Sequence, residues 1–204
     1  MIIKKCFYLF VFILLLSVQL LPCSANEVFD SRLVITNEKR DDGKKVVKSV
    51  FFIKADPEKV YRTLRDVENF TEFMPGAAEV EILEKGHDYQ VVKFSGSRGL
   101  LSADIVMKRI IDDKNRRIDW VLVDGPPQEV SGCWCVEEDS KSKSAAVVRY
   151  SNYVDAGTLI PEFLVRKYLS KDIKRMVPNI IKRVESDGTW VSDDYLKKRA
   201  QKGS

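Results

Sequence analysis

The chain has 204 residues, 45% of them hydrophobic and 31% charged, with a formal net charge of +4. Those proportions exclude a disordered chain and fit one globular domain with a sizeable core. The positive charge is concentrated late: from Ile160 onward there are 11 Lys/Arg against 6 Asp/Glu.

The first segment stands apart from the fold. Lys4 and Lys5 precede an apolar run from Cys6 to Leu21, and Cys23-Ser24-Ala25 supplies small residues where a signal peptidase reads. The run of about 16 residues is short of the roughly 20 that span a bilayer. Residues 1–25 are therefore expected to be a signal peptide cleaved after Ala25, with the protein exported to a periplasm or secreted. An uncleaved anchor is the alternative. Cleavage removes Lys4 and Lys5 and leaves a mature chain with a charge of +2.

Residues 32–40 and 45–55 read as a hairpin turning at Asp41-Asp42-Gly43. Asp56 then suits an N-cap and Pro57 the first helical position, with Val60, Leu64 and Val67 on the buried side of a short helix. A second short helix is predicted over Phe70 to Met74, stopping at Pro75-Gly76. From Ala78 the pattern predicts strands near 78–84, 88–95, 100–112, 116–123, 129–138 and 145–155, an antiparallel meander. Leu101, Ala103, Ile105 and Met107 share one predicted face; Ile118, Trp120 and Leu122 share another. Cys133 and Cys135 fall two apart in a strand, on one face and at the edge of disulfide geometry, so they are expected to remain free thiols.

Ile160 to Val184 is the longest stretch with a helical period. Ile160, Phe163, Leu164, Tyr168, Ile173, Val177, Ile180, Ile181 and Val184 form its expected apolar face, with Arg166, Lys167, Lys171, Lys174, Arg175, Lys182 and Arg183 opposite. Pro161 suits the first turn, and Pro178 is expected to kink or break the helix. The basic side suits peripheral contact with an anionic membrane surface, although solvation alone also accounts for it. Residues 185–204 read as a polar, partly basic and partly frayed tail.

Residues 53–83, IKADPEKVYRTLRDVENFTEFMPGAAEVEIL, resemble the opening of the START-like (SRPBCC) superfamily, in the branch of polyketide cyclase/dehydrase-like and coenzyme Q-binding proteins. The residues that carry the resemblance are Ala55, Pro57, Val60, Tyr61, Asp66, Phe70, Phe73, Met74 and Pro75, followed by Gly132, Trp134 and the step from Gly157 to Pro161. It implies an α+β helix-grip domain over residues 26–184, a curved antiparallel sheet wrapped around the long C-terminal helix, with an apolar cavity between them. Phe73 and Met74 would lie over its mouth. Phe94, Met107, Trp120, Trp134, Tyr150, Leu159, Phe163 and Leu164 would line it.

The only histidine, His87, falls in a predicted Gly-His-Asp turn, and the spacings show no metal-ligand cluster and no phosphate loop. Nothing resembles a nucleic-acid motif. The expectation is a non-enzymatic carrier of a lipid, quinone, isoprenoid or polyketide-like molecule, without catalytic residue, cofactor or metal. The alternative is a cyclase or dehydratase-like enzyme using Tyr150, Arg109 or Asp104, of which Asp104 is expected to point outward.

Overall fold

The computed structural model describes residues 33–98, 101–102, 104–158 and 160–202. The expected signal segment and Leu159 lie outside the described residues. The hairpin is present as β1 (Leu33–Lys39) and β2 (Lys45–Ile53). Its turn places Gly43 at φ +84°, a conformation glycine adopts without a Cβ clash. Helix α1 (Pro57–Arg65) begins as its sequence dictates: the Asp56 carboxylate accepts from the Glu58 and Lys59 amides at 2.8 and 3.2 Å, with Pro57 following. A single 3-10 turn at Val67–Asn69 leads into α2 (Phe70–Phe73).

The remaining strands are β3 (Glu79–Lys85), β4 (Tyr89–Ser95), the two-residue β5 (Ser97–Arg98) and β6 (Leu101–Ser102), β7 (Ile105–Asp112), β8 (Arg117–Asp124), β9 (Glu129–Asp139) and β10 (Ser142–Asp155). Eight of them form one antiparallel sheet in the order β1-β2-β10-β9-β8-β7-β4-β3, while β5 and β6 pair only with each other. The expected strand 100–112 is thus divided: its first part belongs to a small separate hairpin and its second to the main sheet.

Helix α3 (Glu162–Glu185) packs on the concave face of this sheet, burying Val165, Ile173, Val177, Ile180, Ile181 and Val184. This is the START-like helix-grip arrangement. Pro161 serves as the N-cap, one position earlier than expected. Pro178 does not break the helix, which runs uninterrupted past it. The carbonyl that its missing N–H would have bonded belongs to Lys174, an exposed residue where water can serve instead. The buried residues on both sides of it, and Asn179 Nδ2 donating to the Phe73 carbonyl at 2.8 Å, hold the two halves in line.

Two expectations about the C-terminal part are corrected. Arg183 is buried, not on the solvent side of α3. It pairs with Glu72 at 2.5 Å, donates to the Trp190 carbonyl at 2.7 Å and lies 5.4 Å from the Phe73 ring centroid. The tail is also structured. Ser192 starts a helix α4 (Asp193–Lys202), its hydroxyl accepting from the Tyr195 amide at 3.2 Å, with Asp193 and Asp194 in the first turn. The Ser192 amide bonds the Glu72 carbonyl at 2.8 Å, and Trp190 packs against the core.

Cys133 and Cys135 are free thiols on the outward face of β9, flanking the inward Trp134. Burial is the main cause that pushes both thiol pKa values above the ordinary range. Because the thiolate is the nucleophile, native protein is expected to react with a thiol reagent more slowly than unfolded protein at mildly alkaline pH. The rate–pH profile should be displaced upward, and the denatured, non-reduced mature chain should titrate two thiols. Matching native and unfolded rates would contradict this environment.

Candidate functional site

Between the concave face of the sheet and α3 lies a cavity of ≈ 150 Å³. Its sheet wall follows from strand parity. Alternate residues of β4, β7, β8, β9 and β10 face inward, and the large ones collect there: Phe94, Met107, Trp120, Trp134 and Tyr150. Trp134 and Tyr150 are directly opposite across β9 and β10, with ring centroids 4.3 Å apart. Trp120 completes the cluster at 5.7 Å from Tyr150 and 6.1 Å from Trp134.

One cross-sheet row differs from the rest. The strand registers align Gln90, Arg109, Trp120, Gly132 and Asn152 side by side across five strands. At one end Arg109 is 3% exposed. It donates to Gln90 Oε1 at 2.7 Å, to the Leu64 carbonyl at 2.8 Å and to the Arg65 carbonyl at 3.2 Å. The two carbonyls end α1, so the guanidinium caps a helix C-terminus, where partial negative charge collects. No carboxylate pairs with Arg109 among the described residues. Its guanidinium carbon also lies 5.5 Å from the Phe70 ring centroid. Burial pulls its pKa down to about 10, so it remains a cation near neutrality. Three of its five N–H groups are accounted for by these bonds.

At the row's other end the Trp120 indole passes over Gly132 and donates to Asn152 Oδ1 at 3.3 Å. The Asn152 amide nitrogen then remains a donor beside the cavity that the residue lines. An apolar chamber is thereby crossed by a band whose ends are hydrogen-bond donors, about 14 Å apart across three strand spacings. From α3, Val165, Tyr168, Leu169, Asp172, Ile173 and Met176 close the other wall.

Of the residues expected to contact ligand, Met74, Phe94, Met107, Trp120, Trp134 and Tyr150 line the cavity. Phe73 does not: it is buried beneath, edge-on to Phe70 at 5.5 Å and under Arg183. Phe163 points to solvent at 62% exposure, and Leu164 is half-buried outside the lining. Residues 165, 169, 172–173 and 176 take their place, at helical spacings of three and four that the sequence also carried. The phase slipped because the first turn of α3 belongs to the rim, where Glu162 pairs with Lys45 at 3.1 Å and Arg166 at 2.5 Å. Asp104 points outward as expected and pairs with Lys93 at 2.8 Å. Asn152 and Asp172 were missed altogether.

A second, polar cleft of ≈ 600 Å³ abuts the cavity near Lys44, Tyr153 and Gly157. Val154, Ala156, Ile160 and Val165 line both spaces and form the partition between them. Among the described residues no group of His, Cys, Asp and Glu is arranged to hold a metal ion.

The comparisons fall on the same architecture. The chain is similar in structure to a START superfamily protein from Mycobacterium smegmatis, at 12% identity and a TM-score of 0.62, covering 69% of this chain and 97% of that one. The STAR-related lipid transfer protein from Xanthomonas axonopodis is similar at 17% identity and a TM-score of 0.58, with 75% and 92% covered. Zhui aromatase/cyclase from Streptomyces sp. R1128 follows the same fold at 19% identity and a TM-score of 0.55, with 70% and 92% covered. At these identities the likeness is one of fold. No curated protein matches the chain in sequence. The family model described as polyketide cyclase / dehydrase and lipid transport matches residues 53–181, well over half of the chain. With the curved sheet, the gripped helix and the cavity between them, that match assigns the chain to the polyketide cyclase / dehydrase and lipid transport family.

Proposed function

We propose that the protein is an exported carrier that holds a hydrophobic molecule bearing an oxygen acceptor, with the oxygen end toward Arg109 and the apolar part against the Trp120, Trp134 and Tyr150 cluster. The observation that carries this reading is the cross-sheet row. A buried cation that no carboxylate pairs with among the described residues, and an amide donor, stand on the sheet wall of a mainly apolar chamber, which suits a ketone, quinone or carboxylate oxygen. The volume of ≈ 150 Å³ suits a ring or a compact head rather than a whole lipid. A long chain would leave past the partition formed by Ala156 and Ile160. The family description covers both lipid transport and cyclase chemistry.

A second reading is a cyclase or dehydratase-like enzyme. It is favoured by Asp172 and Tyr150 lining the same chamber as Arg109, which brings an acid–base pair and a cation together. Export rests on residues 1–25 alone, and N-terminal sequencing of secreted or periplasmic material that begins at Asn26 is the expected result.

The test of the carrier reading is native mass spectrometry of the purified protein, followed by displacement of a fluorescent fatty acid. A co-purified lipid or quinone, or saturable displacement, is expected. Phe163→Ala should leave displacement unchanged, because Phe163 lies outside the cavity. A protein that takes up no apolar probe, or that turns over a polyketide-like substrate, would overturn the reading.

A further inference from the structure

We propose that the solvent face of α3, with Phe163 at its tip, docks the protein on an anionic lipid surface. Phe163, Lys167, Lys171 and Lys174 recur at helical spacings of four, four and three, and therefore project from one side over about 16 Å of helix. All four are exposed, and Phe163 is 62% exposed, the largest value among the large hydrophobic residues described. The three lysines have no ion-pair partner among the described residues. Arg175 and Lys182 extend the same side, the first 3.6 Å from Asp194 and the second over the Trp190 ring. Between Phe163 and Lys182 the only acidic residue is Asp172, and it lines the cavity on the other side.

The arrangement is the one an interfacial helix uses: a row of ammonium groups for phosphate headgroups and an aromatic ring for the boundary below them. Its place in the fold adds a reason for it. Phe163 stands between Ile160, just ahead of the helix, and Val165 near its start, and both of these line the cavity. Docking through this face brings the cavity end of α3 to the bilayer. The inference rests on the carrier reading for its purpose but not for its test. Among the described residues no helix is long and apolar enough to cross a membrane, so the contact is peripheral.

The experiment is sedimentation of the mature chain, beginning at Asn26, with vesicles of phosphatidylcholine alone or with about one third phosphatidylglycerol. Leaving out the apolar N-terminal segment, which would bind either vesicle, makes the comparison between variants report on the α3 face. Wild type is expected to prefer the anionic vesicles and to release them as salt rises. Changing Lys167, Lys171 and Lys174 together to Gln should weaken that binding by about fivefold per residue, roughly a hundredfold in all. The same three changed to Arg should keep it, and Phe163→Ala should lower it without altering its salt dependence. A triple Gln variant that binds like wild type overturns the proposal. So does capture of poly-glutamate with anionic vesicles ignored, which would make the face a protein-docking surface. Displacement of a soluble fatty acid, run on the same samples, keeps the readings apart: its absence in wild type overturns the carrier reading, while the vesicle comparison still decides the docking face.

Discussion

Gly132→Ala is expected to destabilise the domain by about 3 kcal/mol or more, combining an overpacked core with a lost indole hydrogen bond. A Cβ on Gly132 would stand 2.3 Å from the Ser151 carbonyl oxygen and 2.4 Å from Trp120 Cζ2. The first contact is with the backbone of a paired strand, which cannot yield without disturbing the ladder. The second is with a ring held by Trp134, Tyr150 and the bond to Asn152. The urea midpoint should fall with the slope unchanged. Adding Trp120→Leu should recover only part of the loss, because it removes the ring but leaves the carbonyl contact. A single mutant within about 0.5 kcal/mol of wild type would show that the indole does not pass over Gly132.

Arg109→Met should affect ligand choice more than folding. Methionine fills similar space but donates nothing, leaving the Leu64 and Arg65 carbonyls and Gln90 Oε1 short of the bonds they now receive. Those losses are partly offset because a buried cation without a counter-charge is no longer desolvated. A net cost of about 2 kcal/mol is expected. A hydrogen bond from a charged donor is worth about 1.5–3 kcal/mol, so affinity for a fatty acid should drop about 10- to 100-fold. Affinity for a hydrocarbon of the same length should stay within about threefold of wild type. Arg109→Lys should retain the charge but lose the planar fork that reaches both carbonyls, and it should fall between the two. Equal losses for acid and hydrocarbon would show that the residue supports the wall and recognises nothing.

The sheet wall of this site was legible in the sequence, and the helix wall was not. Phe94, Met107, Trp120, Trp134 and Tyr150 were placed correctly because a strand offers only two faces, and a period of two leaves little room for error. A helix offers a continuum, and the twelve apolar residues from Ile160 to Val184 tolerate a stripe rotated toward Phe163 as readily as one through Val165 and Leu169. The burial of Arg183 and the partners of Arg109 were hidden for another reason. Charged residues are seldom buried, and the groups that reward burial here come from elsewhere in the chain: Glu72 and Trp190 in one case, the end of α1 in the other. Pairing across 45 residues leaves no local pattern. Helix α4 did leave one, Ser192 followed by two aspartates, but its polar composition outweighed the cap.

Among the described residues the sheet stays open, with β1 at one margin and β3 at the other, and no strand pairs with the outer side of β3. Such a margin invites a second chain to extend the sheet. Here Glu79, Glu81, Glu84 and Lys85 lie exposed along β3, and the register with β4 slips between Ile82 and Glu84, leaving Leu83 as an extra, exposed residue. An incoming strand would meet clustered carboxylates and an edge bent out of register. Strand addition at the β3 margin is thereby opposed from within the fold, and neutralising Glu79 and Glu81 would weaken that defence where this edge could otherwise template aggregation.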